Sequence, residues 1–348
     1  MALTLDARAL LGGSATESAE EALACAVDAL RRGALVGMPT ETVYGLAADA
    51  DQPEAVERIF GAKGRPKDHP LIVHVAGGST AQWQAAVQHY AQDVPAFAER
   101  LMAAFWPGPL TVILPRQPGV GLAAAGGQDS IGLRCPGHPV AQALLQACQT
   151  AGIHGLAAPS ANRFGRVSPT TATHVQDEFQ ALLDDDALII LDGGPCPVGI
   201  ESTIVDCSRG RPVLLRPGMI PVSALEEAAG VPMGERDEAA PRASGTLASH
   251  YAPSARVRLM NAKEIQAALD VLGADARHIA VYARTPVTSP SPHVRIEPMP
   301  AQAGACAQEL FAVLRTLDRH DTKLIWVETP PEDAAWDGVR DRLQRAAA

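Results

Sequence analysis

A34-L-V-G-M38 runs directly into P39-T-E-T-V-Y-G-L46, and P53-E-A-V-E-R-I-F60 leads through A62-K-G-R-P-K-D-H69 to P70-L-I-V-H-V75. The first stretch is a short apolar run that reads as a buried strand, and PTETVYGL turns the chain away from it. PEAVERIF reads as the start of a helix with Pro53 in its first turn, where the missing N–H costs nothing. PLIVHV is a second strand. Alternation places Leu71, Val73 and Val75 on one face and Ile72 and His74 on the other. Strand, helix and strand in succession predict an α/β protein, a mixed sheet with helices packed on it.

The flanking sequence extends this pattern. Residues 17–31 carry Leu23, Val27 and Leu30 on one helical face, and Gly33 can end the helix. LTVIL (110–114), SIGLR (130–134), ALIILD (187–192) and STIVD (202–206) read as further strands. HPVAQALLQAC (138–148) and TTATHVQDEF (170–179) read as helices. After LLRPGMI (214–220) the character changes. Residues 226–255 are rich in Ala, Gly, Pro and charge without sustained apolar periodicity, which predicts a linker. Beyond it RVRLM, HIAVYA and KLIWVE are strands separated by helical stretches near 262–272 and 301–319. The predicted domains are 1–225, a linker over 226–255, and a small α/β domain over 256–348.

Composition narrows the function. The 348 residues are 47% apolar but only 4% aromatic, so aliphatic packing dominates the core. The start MALTLDARALLGG has neither a basic n-region nor a long apolar run, and no stretch is long enough for a membrane span. Six cysteines without a CxxC pair read as reduced packing thiols of a cytoplasmic protein. Neither a zinc pattern nor HExxH occurs. The net charge of −10 argues against a chain whose main task is gripping nucleic acid. Its four lysines are Lys63, Lys67, Lys263 and Lys323, and two of them share the AKGRPK loop.

That loop joins Lys63, Arg65 and Lys67 to Gly64 and Pro66. Forked guanidinium and point-charge ammonium on a Gly/Pro-shaped turn suit a polyphosphate, although no Walker A loop is present. A solvated basic turn is the alternative. His74 closes the strand after the loop. Arg134 ends SIGLR inside an apolar run, so it must face a cleft or an anion, or pair with an acid. Trp106, in F105-W-P-G-P-L110, reads as a packing anchor. A157-A-P-S-A-N162 and the following S168-P-T170 offer Ser160, Asn162 and Ser168 as small donors and acceptors without a GxSxG nucleophile motif. G193-G-P-C-P-V-G199 suggests close backbone approach. Ser202 and Arg216 add a hydroxyl and a cation, and H250-Y-A-P253 is a rigid element in the linker.

PTETVYGL, AKGRP, PLIVH, WPGPLT, GLRCPGHP, APSAN with SPT, ESTIVD and LRPG, in this order over residues 17–220, resemble the YrdC-type threonylcarbamoyl-AMP synthase family. HYAP and the α/β tail resemble its longer, two-domain form. The resemblance implies a twisted mixed sheet with flanking helices and a concave cavity, a linker running back over that cavity, and a small Rossmann-like C-terminal domain. It implies a threonine pocket of Thr42, His74, Arg134, Ala158 and Ser202. It implies ATP contacts from Lys63, Arg65, His69, Ser130, Ser160, Ser168, Arg216 and Tyr251. Of these residues, Lys63, Arg65, His74 and Arg216 would serve the chemistry. His69 departs from the family's usual Asn, and R242-A-S-G-T-L-A-S-H250 is less basic than the family leads one to expect.

The implied reaction joins L-threonine, bicarbonate or CO2, and ATP. A carbamate oxygen attacks the α-phosphate and pyrophosphate leaves. Mg²⁺ would be held mainly by the ATP phosphates. The adenylate would pass to the tRNA threonylcarbamoyltransferase that modifies adenosine 37 of tRNAs reading ANN codons, with no stable nucleic-acid binding by this chain. The chain would then be a nucleotidyltransferase. Two other readings are a carbamoyl-transfer domain of the hydrogenase-maturation type and an RNA-binding module. The missing CxxC pairs weigh against the first and the acidic net charge against the second.

Overall fold

The structure, a computed structural model, describes residues 3–12, 16–77, 79–183, 187–247, 249–318 and 321–348. The chain forms two compact units. The first comprises Met1–Phe164, Pro169–Pro197 and Glu201–Thr246. The second comprises Gly165–Ser168, Val198–Ile200 and Leu247–Ala348.

The first unit is built on a ten-stranded mixed sheet. In chain order its strands are β1 (Leu3–Asp6), β2 (Leu35–Met38), β3 (Gly45–Asp49), β4 (Ile72–His74), β5 (Leu110–Pro115), β6 (Ser130–Arg134), β7 (Leu156–Ala157), β8 (Leu188–Asp192), β9 (Thr203–Asp206) and β10 (Val213–Arg216). Their spatial order is β1-β8-β2-β3-β7-β4-β6-β5-β9-β10. β2 and β3 pair antiparallel, so PTETV is the connection between two neighbouring strands. β4 runs parallel to β6, with His74 opposite Arg134, and antiparallel β5 sets Thr111 opposite the same Arg134. β5 also runs parallel to β9, with Leu110 opposite Thr203. This register gathers the ends of PLIVH, GLR and EST.

Alternation along β4 works as the sequence predicts: Leu71, Val73 and Val75 are buried in one core with Trp83 and Trp106. Trp106 meets Trp83 edge-on at 5.7 Å between centroids, and its Nε1 donates to the Leu110 carbonyl at 2.8 Å. It is a packing anchor. Helix Glu17–Arg31 buries Val27 and Leu30, and helix Pro53–Lys63 ends at Gly64, whose φ of 63° is the left-handed conformation that glycine tolerates.

Residues 226–229, placed in the linker by composition, are instead the last turn of helix Val222–Ala229. Leu225 and Ala229 are buried, and the Arg100 side chain caps the Ala229 carbonyl, so two apolar anchors and a cap hold a helix too short to show periodicity. The chain then stays on the first unit: Gly234 donates to Pro212, Asp237 pairs with Arg209, and Ala240 and Ala243 pack on Ile113, Ile204 and Leu215.

In the second unit β11 (Arg256–Met260), β12 (Ile279–Ala283), β13 (Arg295–Pro298) and β14 (Leu324–Glu328) form an all-parallel sheet in the order β11-β14-β12-β13. Helices Ala262–Leu272, Ala303–Leu317 and Asp337–Ala347 accompany it. The predicted helix over 301–319 is Ala303–Leu317, and its last expected residue, Arg319, lies outside the described residues, as does Ala248 of the linker. Tyr251 is buried here at φ 62°, its ring beside His250 and Phe311 and beneath the Arg342 guanidinium. Arg315 donates to the Val167 and Ser168 carbonyls.

Candidate active site

The expected threonine residues converge on Arg134. Its Nη1 donates to Thr42 Oγ1 at 2.8 Å, and its Nη2 lies 2.8 Å from Glu41 Oε1. Arg134 is 4% exposed and Glu41 8%, so this is a buried ion pair. Thr42 Oγ1 is held in turn by Thr40 Oγ1 at 2.9 Å. His74 lies opposite Arg134 on the neighbouring strand, with its Nδ1 3.3 Å from the Ile72 carbonyl, which also accepts from Ala158 N. Ser202 Oγ meets Thr111 Oγ1 at 2.7 Å. Hydrogen bonds and strand register therefore place Thr42, His74, Arg134, Ala158 and Ser202 in one neighbourhood.

A second group continues from Ser202. Buried Arg216 donates from Nε to the Ser202 carbonyl at 3.0 Å, from Nη2 to Ser202 Oγ at 3.2 Å, and from Nη1 to the Ser244 carbonyl at 3.0 Å. Arg65 donates to the Pro70 carbonyl at 2.9 Å and to Ser244 Oγ at 3.4 Å, and lies over the Phe164 ring. His69 meets the same ring edge-on. Burial, then the Arg65 charge, holds the His69 imidazole below its ordinary pKa. Ser130 opens β6 on the face covered by Arg242–Ser244, and the space left there is about 20 Å³.

Lys63 is buried, and its Nζ donates to the carbonyls of Ser160 and Asn162. It therefore braces the APSAN loop. Burial, reinforced by Arg65, pulls its pKa well below the ordinary lysine value, while Glu178 and Glu201 oppose the shift. Of the thirteen residues assigned to the site, eleven belong to the first unit. Ser168 and Tyr251 belong to the second.

Sequence reading missed Glu41, Thr111 and Ser244. Glu41 was within reach, because a cation buried in an apolar strand demands a counter-charge and PTETV supplies the acid. Thr111 and Ser244 gave no signal; their roles come from strand register and from the path of the linker.

Comparison with known proteins follows the same two-part division. A Sua5/YciO/YrdC family model described as "Telomere recombination" matches residues 28–218, and one described as "Threonylcarbamoyl-AMP synthase, C-terminal domain" matches residues 220–348. The chain belongs to the threonylcarbamoyl-AMP synthase family. The Bacillus subtilis threonylcarbamoyl-AMP synthase is 36% identical over 93% of this chain and 92% of its own length. The Pyrococcus abyssi enzyme is 34% identical over 91% and 92%. The crystal structure of Pyrococcus abyssi Sua5 complexed with L-threonine superposes with a TM-score of 0.83 at 33% identity, covering 99% of this chain and 97% of the other. Family members aligned over nine-tenths of both chains displace the hydrogenase-maturation and RNA-binding readings. Among the described residues, no helix is long and apolar enough to cross a membrane.

The His74 imidazole is pushed down to about 3, first by burial and then by the Arg134 charge. The unfolded chain takes up this proton near the ordinary value of 6.5, and the folded protein only near 3. Between these limits the unfolded state binds more protons, so stability falls as the pH drops through that window. His74→Gln should flatten this part of the curve, measured as urea midpoints at about pH 7 and pH 4.5. An unchanged slope would show that His74 is solvated.

Proposed function

We propose that this chain makes threonylcarbamoyl-AMP and pyrophosphate from L-threonine, bicarbonate or CO2, and ATP, as a nucleotidyltransferase. The observation that carries the reading is a pair of buried cationic groups in the first unit, set side by side by the β4–β6–β5–β9 register. One, Arg134 with Thr42 and His74, suits an amino acid. The other, Arg216 with Arg65, suits phosphate; Ser202 bonds to Arg216 and to Thr111, the cross-strand neighbour of Arg134. Arg134 takes the threonine carboxylate. Neutral His74 can face the substrate without adding charge.

The amine captures bicarbonate as a carbamate, whose oxygen then displaces pyrophosphate from the α-phosphate. Arg65 and Arg216 offset charge on the phosphates, while Lys63 fixes the loop that presents Ser160. His69 and Ser130 flank the nucleotide, and Ser168 and Tyr251 complete the set of residues assigned to ATP. Mg²⁺ arrives with the phosphates. The product is consumed by the tRNA threonylcarbamoyltransferase in the cytoplasm.

The test is pyrophosphate release from ATP with each amino acid in turn, with and without bicarbonate. Threonine should be best and serine second. A missing methyl costs only about 1–3 kcal/mol, whereas a site built for a hydroxyl rejects its loss more strongly. Valine used as well as serine would count against the assigned pocket.

A further inference from the structure

Glu41 is a buried charge of the first unit whose carboxylate oxygens accept no hydrogen bond among the described residues. Its side chain is nine-tenths buried. The contact with Arg134 Nη2, though 2.8 Å long, is an ion pair without a hydrogen bond. Buried polar groups are satisfied as a rule, so an open carboxylate beside an open guanidinium N–H calls for a third party. The groups around it do not fill that role. His138 spends Nδ1 on capping Val140 N at 3.2 Å, and burial holds its imidazole below the ordinary pKa. The Cys135 and Cys196 thiols are pushed up by burial and are neutral. A Cβ on Gly137 would come 3.7 Å from Glu41 Cδ, so the loop closes one side of the carboxylate without bonding to it. Arg134 is the cation that faces it.

An α-amino acid has the complementary pair of groups. With its carboxylate on Arg134, as the functional reading places it, its ammonium has a carboxylate partner in Glu41. We propose that Glu41 is a catalytic residue of this site, which binds the threonine ammonium and takes the proton released when that nitrogen becomes a carbamate.

The step balances. The ammonium and bicarbonate give the carbamate, one water and one proton. The N–C bond forms, a C–O bond of bicarbonate breaks with its oxygen leaving as water, and the proton goes to Glu41. Charge balance inside the pocket favours this acceptor. Arg134, ionised Glu41, zwitterionic threonine and bicarbonate together carry one negative charge. Arg134, protonated Glu41 and the doubly anionic carbamate carry the same. No net charge then has to be created in a buried site, where uncompensated charge is costly. The proton leaves to solvent when product does.

The proposal rests on the threonine-and-ATP reading, and pyrophosphate release by the full-length chain tests both. At neutral pH Glu41→Gln should lower kcat on the order of 10²-fold, the usual contribution of a general base, with KM for ATP unchanged. Its rate should climb as the pH rises through the titration of free threonine's amine, because the amine then arrives without the extra proton. Wild type should show no such climb. A Glu41→Gln rate within twofold of wild type, or a pH profile parallel to wild type, overturns the proposal. If Glu41→Gln does not fold, Glu41→Asp decides: the withdrawn carboxylate should lower kcat and leave KM for ATP alone, and wild-type kcat in a folded Glu41→Asp overturns it. Wild type releasing no pyrophosphate with threonine and bicarbonate overturns the functional reading, and the proposal with it.

Discussion

Arg134→Ala should nearly abolish threonine use and also destabilise the fold, the two losses having separate causes. The activity loss follows from the carboxylate it is assigned to hold. A hydrogen bond to a charged group is worth about 1.5–3 kcal/mol, and a forked guanidinium supplies more than one. The stability loss comes from Glu41. Removing one partner of a buried ion pair leaves an uncompensated charge and costs about 3–5 kcal/mol. Urea unfolding should therefore show a much lower midpoint for Arg134→Ala, and the double variant Glu41→Ala/Arg134→Ala should recover most of it without recovering activity. Arg65→Ala is the counterpart on the other substrate. Arg65 is tied to the Pro70 carbonyl and Ser244 Oγ, away from the Thr42–Arg134 pair, so its loss should raise KM for ATP and spare KM for threonine. Equal defects toward both substrates in both variants would mean that the site is divided wrongly.

The parts of the fold that could be read from sequence are those that one periodicity dominates. Helix Glu17–Arg31 and strands β2, β5, β6 and β9 lie within a residue of their expected bounds, because apolar spacing alone decides them. The reading of PTETVYGL as a turn covers the first two residues of strand β3, Gly45 and Leu46; GLAAD is uniformly buried and has no β-branched residue, so neither alternation nor β-branching marks it as a strand. Helices Thr80–Tyr90 and Ala96–Phe105 were passed over, although Ser79 caps the first and Pro95 opens the second. The candidate site was legible as a set of residue types but not as a network. Nothing local says that Ser202 and Arg134 share Thr111, a consequence of β6–β5–β9 register, or that a serine 28 residues after Arg216 bonds to it. Long-range contacts of this kind appear only once the sheet is assembled.

Arg216→Ala should lower kcat by about 10²–10³-fold, the range seen when one preorganised charge-stabilising donor is removed, and should also free the linker. Arg216 is buried, and its three nitrogens donate to Ser202, beside the residues assigned to threonine, and to Ser244 in the linker. Ser244 reaches Arg65 as well, and Arg242 pairs with Asp68 at 2.7 Å and donates its main-chain N–H to Gln128 at 2.8 Å. The linker segment thus bonds to the two guanidinium groups assigned to ATP, and beside them Arg242, Ala243 and Ser244 leave a space of about 20 Å³ over Ser130, room for about one water. If ATP binds against these groups the segment has to give way, and closing again over charged reactants would strengthen their electrostatics and shield a carbamate from water. Arg216→Lys keeps the charge but not the fork, so it should retain more rate than alanine while still losing one of the two serines. Limited proteolysis gives an independent reading: cleavage over 240–246 should be faster in Arg216→Ala than in wild type, and ATP with threonine should change the wild-type rate. Cleavage that is the same in both proteins and indifferent to substrates, alongside an intact kcat, would reduce the segment to an inert tether.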